Sequence, residues 1–249
     1  MQHLLRKQII SIVLLLITHL SVNAQKNEVF RPDYDEMPFH IGVALGLGVN
    51  NLNFVRNAVF NIPALDKANV ISSPITGHAN LGITGTLRLS NHFILRGGWM
   101  FILNNKKIVY KENNSTEDFF VIGAVSSSIP IALKIQSDRY NAFGYKSMMR
   151  HYIIGGGNFS LDKIYNNTYD GPYSGTVLPD FLKKTNLSYE YGFGLSFFLR
   201  HVTVSPEIKF SFGISNIKDK QTDISITPLL INVDKINSNF INFTIHLEN

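Results

Sequence analysis

The sequence predicts an all-β fold, an eight-stranded antiparallel up-and-down transmembrane β-barrel of the outer-membrane type with a filled interior. Three observations predict it. Apolar residues recur at every second position in eight segments, the connections between those segments alternate between long and short, and nowhere after Leu20 do 18 apolar residues run together as a spanning helix requires. Only 16% of the 249 residues are charged, against roughly 25% in an average soluble domain. Asn, Ser, Thr and Gly stand in for charge on the non-lipid face.

The clearest segment is residues 187–214. Leu187, Tyr189, Tyr191, Phe193, Leu195, Phe197 and Leu199 alternate with Ser188, Glu190, Gly192, Gly194 and Ser196. Past Arg200 and His201 the apolar parity moves to even positions, Val202, Val204, Ile208, Phe210 and Phe212. A two-residue turn that sets Leu199 opposite Val202 brings both apolar rows to one side of a hairpin. Each run meets the length of about 9–11 residues that a tilted strand needs to cross a bilayer. The same register sets Gly192 opposite Lys209 and Gly194 opposite Glu207, so each long charged side chain faces a residue without one.

The other strands follow in order. Residues 39–49 alternate Phe39, Ile41, Val43, Leu45, Leu47 and Val49 against His40, Gly42, Ala44, Gly46 and Gly48. Residues 81–89 carry Asn80, Gly82, Thr84, Thr86 and Arg88 on the inner face, and a short turn at Asn91 leads to 93–103, with Arg96 and Gly98 inward. Residues 119–135 end on Ile129, Ile131, Leu133 and Ile135 against Pro130, Ala132 and Lys134. Residues 151–161 contain Gly155-Gly156-Gly157, which marks a bend or close packing. Residues 241–247 close the count, with Asn242, Thr244, His246 and Glu248 inward.

The N-terminus indicates the compartment. Arg6 and Lys7 precede an apolar run over 9–20, and Val22-Asn23-Ala24 offers small residues before a cleavage point at Gln25. Residues 1–24 are therefore expected to be a signal peptide, 25–38 a periplasmic leader and 39–249 the barrel. There is no cysteine, which excludes a lipid-anchored cysteine and a disulfide scaffold. Without Arg6 and Lys7 the net charge of +5 becomes +3, too small an excess to suggest nucleic acid.

The connections 50–78, 104–118, 163–186 and 215–238 read as long polar loops, whereas those at Asn91 and Arg200-His201 are short and that at 137–150 is intermediate. Long external loops and short periplasmic turns put both termini in the periplasm. An eight-stranded barrel is just wide enough for side chains to fill. The inward charges Arg88, Arg96, Lys134, Glu190, Glu207, Lys209 and Glu248 carry both signs, and buried charge is tolerated when paired. An interior polar network of Arg88, Arg96, Lys134, Glu190, Glu207 and Lys209 is expected.

Enzymatic readings find less support. Barrel hydrolases need His, Ser and carboxylate groups converging near one rim, and His78, with Ser72 and Ser73 upstream, is the one histidine so placed; a plain loop residue is the simpler reading. No ligand spacing points to a metal, no cofactor is expected, and Gly46-Leu47-Gly48 lacks the third glycine and the helix of a nucleotide loop. Trp99 and the other aromatics read as lipid-facing wall and interface girdle, and Lys106-Lys107 and Lys183-Lys184 as solvated loop charges.

Five short blocks stand out: Phe39-His40-Ile41-Gly42-Val43, Leu95-Arg96-Gly97-Gly98, Ile129-Pro130-Ile131-Ala132-Leu133-Lys134 with Ser137-Asp138-Arg139-Tyr140-Asn141, Glu190-Tyr191-Gly192-Phe193-Gly194, and Pro206-Glu207-Ile208-Lys209-Phe210-Ser211 with its continuation to Asn216. In their order along the chain they resemble the PorT/SprT family of Bacteroidota outer-membrane proteins. The chain departs from many outer-membrane barrels in ending Leu247-Glu248-Asn249 rather than on an aromatic residue. The resemblance implies a small, non-enzymatic barrel required for type IX protein secretion or gliding motility, with outer-membrane lipids and other machinery proteins as partners. The alternatives are a passive channel or surface-interaction barrel, and a lipid A-modifying hydrolase.

Overall fold

The computed structural model describes residues 29–56, 68–112, 118–170, 182–219 and 233–249. The expected signal peptide lies outside them. Ten strands are present among the described residues: β1 (Phe39–Arg56), β2 (Ala68–Ser72), β3 (Thr76–Arg88), β4 (Phe93–Glu112), β5 (Asp118–Gln136), β6 (Tyr140–Ala142), β7 (Tyr145–Asp170), β8 (Thr185–Phe198), β9 (Thr203–Gly213) and β10 (Val233–Glu248). Eight of them form a closed antiparallel ring in the order β4-β3-β1-β10-β9-β8-β7-β5, and pairing of β5 with β4 completes it. Closure removes the open edges that lipid cannot hydrogen-bond. No helix among the described residues is long and apolar enough to cross a membrane.

Each of the eight expected strands falls inside a ring strand to within a residue, but β1, β3, β4, β7 and β10 run well beyond the expected segments. In the β8–β9 hairpin Gly192 pairs with Lys209 and Gly194 with Glu207, and the Leu199 N–H donates to the Val202 carbonyl at 3.0 Å. The outward row of β1 (Phe39, Ile41, Val43, Leu45, Leu47 and Val49) is exposed, and Ala44 and His40 between them are buried. That is the burial pattern of a wall with lipid outside and polar or small residues inside.

The long connections are shorter than the sequence reading assigned. β1, β4, β7 and β10 continue past the apolar belt, and β2 pairs with the far end of β4. Above the belt the pattern inverts. On β1 the outward residues become Asn51 and Asn53 while inward Leu52 and Phe54 join a buried cluster of Ile71, Ile108, Ile122, Leu182, Ile217, Val233 and Ile236. The reason is the solvent: beyond the bilayer the outer surface meets water, so apolar side chains bury themselves in the lumen. A search for outward apolar rows therefore reads these extensions as loops. Lys106, expected as a solvated loop charge, is buried there and ion-paired to Asp162.

The connection at 137–150 is also structured. β6 and the start of β7 form a small hairpin whose tip uses Phe143 at φ 52° and Gly144 at φ 79°. Facing it, the leader forms a 3-10 turn at Pro32–Asp35 that follows Arg31 in the left-handed region at φ 51°. This turn carries Tyr34 into the mouth of the barrel beside the C-terminus, where it is 5% exposed.

Candidate functional site

The lumen is filled in layers, and its lowest charged layer contains most of the residues singled out from sequence. Arg96 on β4 points inward because its neighbours Leu95 and Gly97 take the outward positions. Its Nη1 donates to Glu207 Oε2 at 2.7 Å and its Nη2 to Glu248 Oε1 at 3.1 Å. Tyr152 on β7 donates its phenol to the same Glu207 oxygen at 2.9 Å. Lys209 Nζ donates to Glu190 Oε2 at 3.1 Å and lies 3.9 Å from Glu207 Oε1, which His246 Nε2 approaches to 3.5 Å. Lys134 is the exception: it donates to Ser196 Oγ at 3.4 Å and sits 4.0 Å from the centre of the Tyr152 ring, a cation–π contact.

Arg96, Lys134 and Lys209 thus balance Glu190, Glu207 and Glu248 within one buried layer. Mutual neutralisation is what permits six ionisable groups inside so narrow a tube. Arg88 does not join them. It is the last residue of β3, half-exposed at the turn, and its guanidinium donates to Asn91 Oδ1 at 2.6 Å. Inward parity at a strand's end does not carry a side chain into the lumen when the rim offers water and a nearer acceptor.

The sequence reading missed the residues that close the mouth. Tyr34 donates to Glu248 Oε2 at 2.5 Å, stacks on His40 with ring centres 3.8 Å apart, and meets the edge of Phe198. Arg139 fixes the leader from outside: its guanidinium donates to the carbonyls of Phe30 at 3.0 Å and Arg31 at 3.2 Å and pairs with Asp35 at 2.6 Å. Arg150 pairs with the same carboxylate at 3.1 Å. Arg139 also lies 3.5 Å from the centre of the Phe198 ring. A lone Tyr in a polar leader gives no periodic signal, but Tyr152 could have been found, because it lies opposite Gly194 on the inward face of β7.

Burial, then the Glu248 carboxylate, push the Tyr34 phenol well above its ordinary value. The docked leader thus favours the neutral phenol, and its stability is complete below the ordinary value of about 10 and is lost as pH rises past it. Tyr34→Phe should weaken docking by about 2 kcal/mol, the usual loss for a hydrogen bond to a charged group. The check is proteinase K: cleavage within residues 29–38 should be faster in Tyr34→Phe and in Arg139→Ala, with the barrel itself still protected.

Above the charged layer lies a polar cavity of about 30 Å³ lined by Asn80, Ser126, Asn158, Ser188 and Asn242. That is the space of a few waters. The apolar cluster of Leu52, Ile108, Ile122 and Ile236 lies above it. His78 sits inside the lumen rather than at an outer rim, 6% exposed, its Nε2 2.6 Å from Asn242 Oδ1. Ser73 Oγ accepts from the Leu52 N–H and so is turned to other work. Among the described residues no group of three or more His, Cys, Asp or Glu is placed to hold a metal.

A closed ring of eight strands with an apolar outer belt fits one further observation: residues 23–219 match the family model described as outer membrane protein beta-barrel domain. The chain belongs to that family. The protein is accordingly an outer-membrane β-barrel protein. Ail, the attachment invasion locus protein of Yersinia pestis, solved alone and in complex with the heparin analogue sucrose octasulfate, is similar at 10% identity; the complex has a TM-score of 0.35 over 86% of this chain and 100% of Ail. LpxR from Salmonella typhimurium is similar at 9% identity and a TM-score of 0.24, over 80% of this chain and 99% of that one. No curated protein matches the sequence.

Proposed function

We propose that this barrel is a non-enzymatic component of type IX protein secretion or gliding motility, working through contacts rather than by conducting solute. The observation that carries the reading is the occupied lumen: leader, charged layer, polar cavity and apolar cluster follow one another along its axis. The motif blocks that resemble the PorT/SprT family support it from another side. They contribute Arg96, Lys134, Glu190, Glu207 and Lys209 to the lumen and Arg139 to the clasp on the leader.

Deletion of the gene in the native host should abolish export of secreted proteins, or surface spreading in a gliding species, and restoration of the full chain should rescue it. Unchanged secretion and spreading would remove the proposal. Purified protein in a planar bilayer is expected to give no single-channel steps; regular steps would favour the passive channel instead.

A further inference from the structure

The outward face of β7 and β8 holds features that neither the closed lumen nor the secretion reading uses. Leu161 pairs with Thr185, and the Asp162 N–H donates to the Lys184 carbonyl at 2.6 Å, which carries the same register onward. Lys163 continues the exposed outward row of β7, and Lys183 lies next to it in the chain's course, just before the bend at Lys184 from which β8 starts, its own N–H donating to the Ile217 carbonyl at 2.7 Å. Both are exposed, and like charges brought close together repel. Asp162, the carboxylate nearest in sequence, is turned into the lumen to Lys106, and among the described residues neither ammonium is ion-paired. The two lysines stand just beyond the apolar belt, at the end of the barrel opposite the termini, where the outer leaflet meets water.

Directly below them the belt has a slot. Gly155 and Gly157 occupy outward positions of β7, between Leu133 and Ile131 on β5 and Tyr191 and Tyr189 on β8. A Cβ at either would meet nothing nearer than 3.8 Å, so packing does not require these glycines. Their effect is an open groove in the lipid-facing wall. Tyr189 stacks on Phe212 beside it, ring centres 5.4 Å apart, and exposed Phe159, Leu161 and Leu187 form the apolar surface between the groove and the lysines.

We propose that this face binds a phosphorylated lipid of the outer leaflet, its phosphate between Lys163 and Lys183 and an acyl chain over Leu161 and Leu187 into the Gly155–Gly157 slot. From Lys163 to Gly157 the strand runs about 20 Å at roughly 3.3 Å per residue, the length of an extended acyl chain. An anion between the lysines relieves their repulsion, and an acyl chain fills the space the glycines leave.

The test uses the full mature barrel in detergent micelles doped with lipid A, either carrying its phosphates or enzymatically stripped of them, with retained lipid counted by native mass spectrometry. Phosphorylated lipid A should be retained at least tenfold better than the stripped form, and Lys163→Gln/Lys183→Gln should remove that preference while Lys146→Gln at the periplasmic hairpin keeps it. Gly155→Leu/Gly157→Leu should lower retention of both forms. Heat modifiability on gels shows that each variant is folded. Equal retention by wild type and the double lysine variant overturns the proposal, as does equal retention of the two lipid forms. Displacement of the lipid by millimolar inorganic phosphate would overturn the acyl half of the site, leaving a bare anion site.

Discussion

Arg96→Met is expected to destabilise the folded barrel by about 3–5 kcal/mol, the range for breaking a buried ion pair by removing one partner. The guanidinium is 5% exposed and, among the described residues, the only group that bonds both Glu207 and Glu248, so its loss takes the shared counter-charge from two buried carboxylates. Urea unfolding in micelles, followed by tryptophan fluorescence or by heat modifiability, measures the loss. Pairing Arg96→Met with Glu207→Gln should recover part of it, because the second change removes one uncompensated charge. Glu207→Gln or Lys209→Met alone should also lower heat resistance. If Arg96→Met assembles with unchanged stability, the charged layer is not what holds this part of the lumen together.

Gly156→Val is expected to prevent assembly outright. Gly156 faces inward, opposite Ala132 on β5, and a Cβ there would lie 2.5 Å from the Ala132 Cα and 2.7 Å from its Cβ. No flexible side chain end can give way at that point. The neighbours are backbone and a methyl group, so the strands themselves would have to separate, at a cost at or above the ~3 kcal/mol top of the usual range for overpacking. The measurement is the yield of the heat-modifiable band on refolding into micelles. Gly155→Val and Gly157→Val next to it point outward and should refold as wild type. The contrast among three consecutive glycines tests the strand's orientation as well as its packing.

Most of the barrel was legible because lipid imposes a period of two. Every residue facing the bilayer must be apolar, so parity marked the wall, and a two-residue turn at Arg200-His201 then set the β8–β9 register residue by residue. Once register is known, Lys209 opposite Gly192 and Glu207 opposite Gly194 follow, and with them most of the charged layer. Gly194 illustrates the limit. Its missing side chain makes room chiefly for Tyr152, whose ring carbon Cζ would lie 2.5 Å from a Cβ there, a neighbour from a different strand.

The barrel, its ring of eight strands, its inward and outward faces and most of the groups in its charged layer are written into the chain, since each of these depends on local alternation and on the contrast between lipid and lumen. That Arg88 stays at the rim, that Lys106 is buried, that the wall continues beyond the bilayer with its apolar face turned inward, and that Tyr34 closes the mouth emerge from the folded arrangement alone. These depend on distance in space rather than along the chain. Arg139 meets a leader more than a hundred residues before it, and Tyr34 meets Glu248 only because ring closure brings both ends of the chain to one mouth.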